Sequence, residues 1–174
     1  MDAYPKVIVI TVNWNGKKWL GDCLISLLEM NYPNFEVVVV DNGSTDGSVD
    51  FIKEKFPSVH VIETGRNLGY GVGGNVGLEY ALSSKEATYC LLVNNDTVID
   101  ENALTALVDT AISQPKAGFV TGKVFYYDYP DIIQTVGKKE DPLRLSGDHI
   151  GAGEKDIGQY DTIQEREFID HAWT

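Results

Sequence analysis

Short apolar runs alternate with segments of helical periodicity through residue 125, and this alternation limits the available folds more than any other feature of the chain. The runs that predict strands are VIVITV at 7–12, EVVVV at 36–40, SVHVIE at 58–63, TYCLLV at 88–93 and, within AGFVTGKVFYY, 117–127. The first two are continuous in apolar character, as in strands covered on both faces. The alternation predicts an α/β domain with a mostly parallel central sheet, right-handed crossovers and helices on both faces.

Apolar residues at helical spacing predict the helices between these strands. The predicted helices cover about 17–30, 46–56, 75–84 and 101–113. Ser44 or Thr45 is expected to cap the second of them. The alternation then ends, and DIIQTVG at 131–137 predicts a short edge strand, 138–162 predicts a long surface loop, and EREFIDHAWT at 165–174 predicts another strand.

Charge and composition exclude nucleic acid as the partner. The formal net charge is -12, and no cluster of lysine or arginine stands out in the sequence, so a phosphate backbone would be repelled. A hydrophobic content of 43% is normal for a globular chain. If the ligand is itself anionic, a bound divalent cation is the simplest way to offset the local field.

The cysteines and the apolar runs bear on location. Cys23 and Cys90 form no C-x-x-C pair and lie in apolar surroundings, so both are predicted to be buried in a protein of a reducing compartment. No apolar run approaches the roughly 20 residues of a membrane helix, and no leader pattern opens the sequence. These features predict a cytoplasmic protein without a transmembrane segment, and they are compatible with peripheral association at the inner face of the membrane.

Polar residues follow each of the first four predicted strands. These are Asn13, Trp14 and Asn15 after the first strand, 41–46 after the second, 65–77 after the third and 94–96 after the fourth. In an open parallel sheet, ligands bind beyond the carboxyl ends of the strands. Any one of these loops is also typical of ordinary turns, but four together favour a binding crevice.

Asp96 has two interpretations from the residues alone, a helix cap or a metal ligand. Asp100 is better placed to cap the following helix. Magnesium or manganese needs only one or two protein carboxylates when phosphate oxygens supply other ligands. Asp96 flanked by amides is therefore adequate for a metal that a diphosphate also coordinates.

The glycine-rich loop contains a pattern that resembles a dinucleotide fingerprint. Gly69, Gly71 and Gly74 satisfy G-x-G-x-x-G. The fingerprint belongs directly after a strand, with an acid near the end of the next strand, and neither condition is met here. A nicotinamide-dependent oxidoreductase is therefore an alternative that the spacing disfavours. The small residues are better interpreted as allowing close approach of a ligand to the backbone.

Four segments resemble one known family when they are taken in order. VIVITVNWNG, VVVVDNGSTDGS, RNLGYGVGGNVGL and LLVNNDTVID are similar to the family 2 glycosyltransferases, inverting enzymes of the GT-A fold, and especially to rhamnosyltransferase-like members. The NND triplet is similar to a variant of the D-x-D motif. The resemblance covers essentially the whole chain and is densest between residues 7 and 100.

The resemblance implies a role for individual residues. The residues implied to bind the nucleotide sugar are Thr11, Val12, Asn13, Asp41, Asn42, Ser44, Asn67, Gly73, Asn75, Asn94 and Asn95. Among them, Asp41 is implied to accept a hydrogen bond from the base. Asp96 is implied to ligate Mn²⁺ or Mg²⁺ bridging the diphosphate. The implied donor is a UDP-, dTDP- or GDP-sugar, and the implied acceptor is a glycan or lipid-linked hydroxyl.

The resemblance also implies an incomplete active site. Residues 1–127 are expected to form the nucleotide-sugar-binding domain, and residues 128–174 are expected to begin the acceptor side. The general base is expected beyond Thr174, with Asp170, His171, His60 and His149 as weaker candidates. Two functions stay open: transfer of a sugar with inversion, and a non-catalytic fragment or module that binds a nucleotide sugar.

Overall fold

The computed structural model describes residues 4–141 and 146–166, and the chain divides into two compact units, residues 1–102 and 103–174. The first unit contains β1 (Lys6–Asn13), α1 (Lys17–Leu28), β2 (Phe35–Asp41), α2 (Ser48–Lys55), β3 (His60–Glu63), α3 (Tyr70–Ser83) and β4 (Ala87–Asn94). The second contains α4 (Ala103–Ser113), β5 (Val124–Tyr126), β6 (Tyr129–Thr135), β7 (Lys138–Asp141) and β8 (Ser146–His149).

The first unit is built on a parallel sheet of four strands in the order β3-β2-β1-β4. The order reverses at β1, because β2 and β3 extend to one side of it and β4 lies on the other. Right-handed crossovers in this order place α1 and α2 on one face and α3 on the opposite face. The predicted α/β fold with a parallel central sheet is confirmed. The reversal beside β1 is the point where such sheets form a ligand crevice.

The core of the first unit lies around β1 and β2, which are covered on both faces as predicted. Ile8, Ile10, Val38 and Val40 form one buried cluster with Ala81 of α3. The alternate residues of the same strands are buried as well.

The edge strand β4 differs from this pattern and corrects one prediction. Cys90 is exposed, and Leu92 is partly so. In register they lie beside Ile8 and Ile10, so they share the face that α3 covers over β1 and β2. Because α3 packs mainly over β1 and β2, this face of β4 is left exposed to solvent at Cys90 and Leu92.

Helix α3 approaches the sheet closely because glycines face it. A Cβ atom added to Gly77 would overlap Ile10 Cγ2 and would lie 3.3 Å from Val40 Cγ2. A Cβ added to Gly73 would lie 2.8 Å from both Val12 Cγ1 and Asn42 Nδ2. The low helix propensity of glycine is thus overridden by packing, and α3 begins at Tyr70 rather than near residue 75 as predicted.

This packing makes Gly77 sensitive to a single methyl group. We expect Gly77→Ala to destabilise the protein by about 1–3 kcal/mol, because overpacking a core forces neighbouring atoms apart. The matched control is Gly74→Ala on the same helix, where the new Cβ would make an ordinary contact 3.8 Å from Leu92 Cδ2. Thermal melts should show a lower Tm for Gly77→Ala and an unchanged or higher Tm for Gly74→Ala. Equal losses would contradict the packing argument.

The helix cap was predicted at the wrong residues. The N-cap of α2 is Gly47, in a left-handed conformation with φ 80°, and not Ser44 or Thr45. The side chain that bonds to the first turn of α2 is Asp46, whose Oδ1 accepts a hydrogen bond from Ser48 N at 3.0 Å. Its Oδ2 accepts from Lys17 N at 2.9 Å, which also joins the start of α1 to the start of α2.

The second unit departs from two predictions. Only residues 124–126 of the predicted fifth strand are extended, and they pair antiparallel with β6 in a separate two-stranded sheet. The short strand predicted at 131–137 is present as β6, which runs from Tyr129 to Thr135. The predicted loop at 138–162 contains the antiparallel hairpin β7–β8, with Lys138 opposite His149. The strand predicted at 165–174 lies mostly outside the described residues.

Ion pairs order the polar turns that follow the hairpin. Lys123 Nζ lies 2.7 Å from Asp156 Oδ2 and also pairs with Asp161. The hydrogen bond from Lys123 lowers the pKa of the Asp156 carboxyl. A backbone hydrogen bond, donated by Ile133 N to Glu154 O at 2.8 Å, also holds these turns. A segment with little to bury is thus held by specific polar contacts, which a hydrophobic pattern cannot predict.

Candidate functional site

The carboxyl ends of β1, β2 and β4 meet where the strand order reverses. Asn13 lies beside Asp41 in register, and Val12 lies beside Asn94. We call the loops that follow these strands, residues 13–16, 41–46 and 94–97, the carboxyl edge. The structure therefore brings together three of the four polar segments that the sequence predicts to share one crevice.

The side chain of Asn13 is the centre of the carboxyl edge. It is fully buried, and its Nδ2 donates to Asp41 Oδ2 at 2.9 Å and to Ser44 Oγ at 3.1 Å. Its Oδ1 accepts from Asn95 Nδ2 at 2.9 Å. One amide thus contacts both the loop after β2 and the loop after β4.

Asp41 is a buried carboxylate whose orientation is determined by two donors. It is 1% exposed, and its Oδ1 accepts from Ser44 N at 2.8 Å while its Oδ2 accepts from Asn13. A carboxylate offers about four lone-pair sites. Two sites of Asp41 therefore remain for further donors.

A second amide joins the loops after β1 and β2. Asn15 has φ 51°, in the left-handed region that asparagine tolerates better than most residues. Its backbone N donates to Ser44 Oγ at 2.8 Å, and its Oδ1 accepts from Thr45 N at 2.8 Å. Trp14, between Asn13 and Asn15, is 55% exposed at this edge.

The loop after β3 is connected to the same edge through Asn42 and Thr64. Asn42 is buried, and its Nδ2 donates to Gly69 O at 3.1 Å. Thr64 Oγ1 contacts Asp41 O at 3.1 Å and Arg66 O at 2.7 Å. Gly43, with φ 74°, must be glycine because a Cβ there would lie 2.7 Å from the backbone of Arg66. The predicted fourth segment thus adjoins the β2 side of the edge.

Asp96 follows β4 and is partly buried. Its charge reaches two neighbours. Burial raises the pKa of the Cys23 thiol to about 12, and the Asp96 carboxylate adds to that rise. Burial also raises the pKa of the Tyr70 phenol, again with a contribution from Asp96. The negative charge of Asp96 therefore acts on Cys23, in the middle of α1, and on Tyr70, at the start of α3.

The two thiols should differ in reactivity because only the thiolate is nucleophilic. With its pKa raised to about 12, Cys23 is almost entirely in the protonated thiol form at pH 8.5. Partial burial also raises the pKa of the Cys90 thiol, but Cys90 is exposed to solvent, so a reagent can reach it. We expect iodoacetamide to label Cys90 first in the folded protein and both cysteines in urea, as measured by peptide mass spectrometry. Equal labelling in the folded state would contradict this.

Apart from Gly73, which packs α3 against the sheet, the residues implied by the resemblance fall into three groups in the structure. Thr11 and Val12 are buried and form the floor beneath the edge, and Thr11 Oγ1 has no hydrogen-bond partner within the described residues. Asn67 and Asn75 are exposed, and Asn67 Oδ1 accepts from Gly69 N at 2.8 Å. The group gathered at the edge consists of Asn13, Asp41, Asn42, Ser44, Asn94, Asn95 and Asp96.

Gly16 and Thr64 are structural members of the site that sequence reasoning missed. A Cβ at Gly16 would overlap Asn95 Nδ2 and lie 2.6 Å from Asn13 Oδ1. The N-G dipeptide at 15–16 is a recognisable turn signal, but nothing local indicates this approach. Thr64 carries no signal that distinguishes it from an ordinary residue of a turn.

The donor set at Asp96 defines which metal site is compatible. Among residues 4–141 and 146–166 no group of three histidine, cysteine or carboxylate side chains could hold an ion. Asp96 follows two asparagines, Asn94 and Asn95, directly in sequence. Such a set suits a hard cation that takes most of its ligands from water or phosphate.

A parallel sheet with polar and carboxylate side chains at its switch point is typical of α/β proteins that bind a ligand beyond the carboxyl ends of their strands. The family model for glycosyl transferase family 2 matches residues 7–159. The chain therefore belongs to glycosyl transferase family 2.

Individual relatives agree with this family. Glycosyltransferase GlyG of Streptococcus pneumoniae is 27% identical over 128 residues, which is 72% of this chain and 41% of the relative. The N-acetylglucosaminyl-diphospho-decaprenol L-rhamnosyltransferase of Mycobacterium tuberculosis is 31% identical over 117 residues, 63% of this chain and 38% of the relative. The chain thus spans about two fifths of the length of these relatives.

Solved structures agree on the fold. TarS from S. aureus in complex with UDP-GlcNAc matches with a TM-score of 0.56 and 23% identity over 73% of this chain and 42% of that one. The mannosyltransferase PcManGT from Pyrobaculum calidifontis, in complex with GDP-Man and Mn²⁺, matches with a TM-score of 0.57 and 24% identity, over 72% and 37%. The predicted GT-A fold is confirmed.

Proposed function

We propose that this chain forms the donor-binding part of a glycosyltransferase that moves a sugar from a nucleoside diphosphate to an acceptor hydroxyl with inversion. The observation that carries the proposal is the meeting of Asp41 and the Asn95–Asp96 pair at the switch point of the sheet. Family membership and the donors bound by similar structures support it. UDP- and GDP-sugars are the first candidates, and a dTDP-sugar is the third.

In this proposal the loop after β2 holds the nucleoside. The two remaining lone-pair sites of Asp41 accept N–H groups of the base. Ser44 and Asn42 hold the loop, and the buried Thr11 and Val12 form the floor of the pocket. Asn67 and Asn75 contact the nucleotide from the loop and helix after β3. Gly73 contributes by letting α3 lie against the sheet.

The loop after β4 holds a divalent metal in this proposal. Asp96 would ligate Mn²⁺ or Mg²⁺, and Asn94 and Asn95 would contact the nucleotide sugar beside it. A bound metal of this kind supplies Lewis acidity to the leaving diphosphate. A single carboxylate is too few for an all-protein site but fits an ion that the diphosphate also coordinates.

The acceptor side is proposed at a coarser level. We assign donor binding to residues 1–127 and the beginning of the acceptor side to 128–174, with a glycan or lipid-linked hydroxyl as acceptor. No described residue is assigned as the general base. Within the described residues no helix has both the length and the apolar character to span a bilayer. Action in the cytoplasm, next to the membrane, is compatible with such an acceptor.

A thermal-shift screen of nucleoside diphosphates and their sugars, with and without Mn²⁺, tests the proposal. A ligand at 100 times its Kd stabilises a protein by about 2.7 kcal/mol, and each kcal/mol raises Tm by about 2–4 °C at this size. We expect at least one diphosphate to raise Tm by several degrees, and more with Mn²⁺ than without. No shift with any diphosphate would refute donor binding.

A non-catalytic binding module is the second candidate, because the carboxyl edge contains no assigned base. The two functions differ in product and not in affinity. Manganese-dependent release of free sugar from a bound donor would favour the transferase. Tight binding of the donor without any release or transfer would favour the module.

A further inference from the structure

Asn13 occupies a position where one short side chain must both donate and accept hydrogen bonds. One neighbour, the Asp41 carboxylate, requires a donor, and the other, Asn95 Nδ2, requires an acceptor. The orientation of the Asn13 amide follows from these partners, because an ionised carboxylate can only accept. A hydroxyl is too short to reach both, and a carboxylate would face Asp41 with like charge.

The surroundings of Asn13 leave this amide no alternative arrangement. The side chain is fully buried, and the start of α1 closes over it at Gly16, where even a methyl group would meet Asn95 and Asn13. Both N–H groups of Asn13 are already used. Asn13 therefore has no donor left for a ligand and acts through its neighbours.

We propose that Asn13 is a positioning residue that fixes Asp41 and Asn95 relative to each other, so that the loops after β2 and β4 are ordered as one body. Naming these loops the nucleoside side and the metal–diphosphate side rests on the proposed function. The link itself rests only on the hydrogen bonds. This role differs from the direct contact with nucleotide that the resemblance implies for Asn13.

The link makes a prediction for two amides that are far apart in sequence. Ser44 N is bonded to Asp41 Oδ1 at 2.8 Å, and Thr97 N is bonded to Asn94 O at 3.2 Å. If Asn13 joins the loops, its loss releases both amides. Asn13→Ala should raise hydrogen exchange at Ser44 and at Thr97 by at least tenfold in the ligand-free protein, measured by NMR.

The matched control lowers stability at the opposite end of the sheet. Tyr80→Phe removes the hydrogen bond from Tyr80 Oη to Glu36 Oε1, which is 2.6 Å long and lies at the start of β2. In Tyr80→Phe, the exchange rates of the Ser44 and Thr97 amides should stay unchanged relative to those of the strand amides. An equal rise in this control, or a rise at only one of the two amides in Asn13→Ala, would overturn the proposal.

Asn13→Asp gives an independent test through pH, because the new carboxyl replaces a donor 2.9 Å from Asp41 Oδ2. Two carboxylates this close share a proton, which raises one pKa in the folded state. The folded variant then binds more protons than the unfolded chain. Its stability relative to wild type is therefore retained at low pH and lost as pH rises through the raised value. The charged groups of the surrounding loops are the carboxylates of Asp41, Asp46 and Asp96 and the ammonium of Lys17. Wild type carries all of them.

The pH experiment compares melts of Asn13→Asp, Asn13→Ala and wild type between pH 5 and pH 8. We expect the Tm deficit of Asn13→Asp to grow with pH and that of Asn13→Ala to stay constant. A constant deficit for both would overturn the proposal. UDP binding in EDTA should follow the same order, with Asn13→Ala at least fivefold weaker than wild type. If wild type bound neither UDP nor GDP nor dTDP, the proposed function would fail, while the exchange and melting data would still decide the role of Asn13.

Discussion

Asp96→Ala is expected to weaken the binding of UDP in Mn²⁺ by more than tenfold, or about 1.4 kcal/mol. The physical reason is that Asp96 is the only carboxylate of the NND triplet, and the amides beside it carry no charge to hold a cation. In EDTA the variant and wild type should bind UDP alike, because the metal no longer contributes. Isothermal titration calorimetry in both buffers measures the difference.

The matched control for Asp96 is Asp100→Ala, four positions further along the same loop. Asp100 is exposed, and its Oδ1 accepts from Asn102 N at 2.8 Å. Its loss removes one negative charge from the same region but no ligand from the proposed metal site. Wild-type affinity for Asp96→Ala in Mn²⁺, or an equal loss for Asp100→Ala, would contradict the metal assignment.

Asp41→Ala is expected to weaken nucleotide binding by more than tenfold both in Mn²⁺ and in EDTA. Asp41 is proposed to contact the base, which does not depend on the metal. The substitution also leaves Asn13 Nδ2 and Ser44 N without their acceptor, at a cost of about 1–3 kcal/mol for each buried group. A lower Tm should therefore accompany the weaker binding, and titrations belong well below that Tm.

A second variant separates the two effects at this position. Asp41→Asn keeps the size of the side chain and still offers an oxygen to one donor, so it should be more stable than Asp41→Ala and still bind nucleotide weakly. The exposed Asp50 of α2 provides a control for loss of charge, as Asp50→Ala. If the loss of affinity in both Asp41 variants disappeared on chelation, Asp41 would have to be assigned to the metal and not to the base.

The central sheet could be predicted because its signal is local and repeated. Continuous β-branched runs such as 7–12 and 36–40 have no stable place in solvent, and helical spacing between them leaves few alternatives to parallel strands. The same reasoning predicted that the polar residues after the first four strands would meet, because parallel strands end at one edge, and those after β1, β2 and β4 do meet. Burial of Cys90 was wrong, since apolar neighbours in sequence do not show that β4 lies at the edge of the sheet.

The parts that escaped prediction depend on contacts distant in sequence. The early start of α3 follows from the closeness of Gly73 and Gly77 to the sheet, which local propensity opposes. The hairpin β7–β8 and the turns closed by Lys123 depend on polar pairing, which leaves no hydrophobic period. Position 16 requires glycine because Asn95, nearly eighty residues later, lies against it, and no pattern within the loop indicates this contact.

Hydrogen–deuterium exchange of the wild-type chain, with and without UDP and Mn²⁺, tests most directly whether the carboxyl edge is one donor site. Binding there should slow exchange in residues 13–16, 41–46 and 94–97 together, and omission of Mn²⁺ should reduce the protection at 94–97 most. Protection confined to residues outside these three loops, or in one loop alone at saturating ligand and metal, would contradict the account.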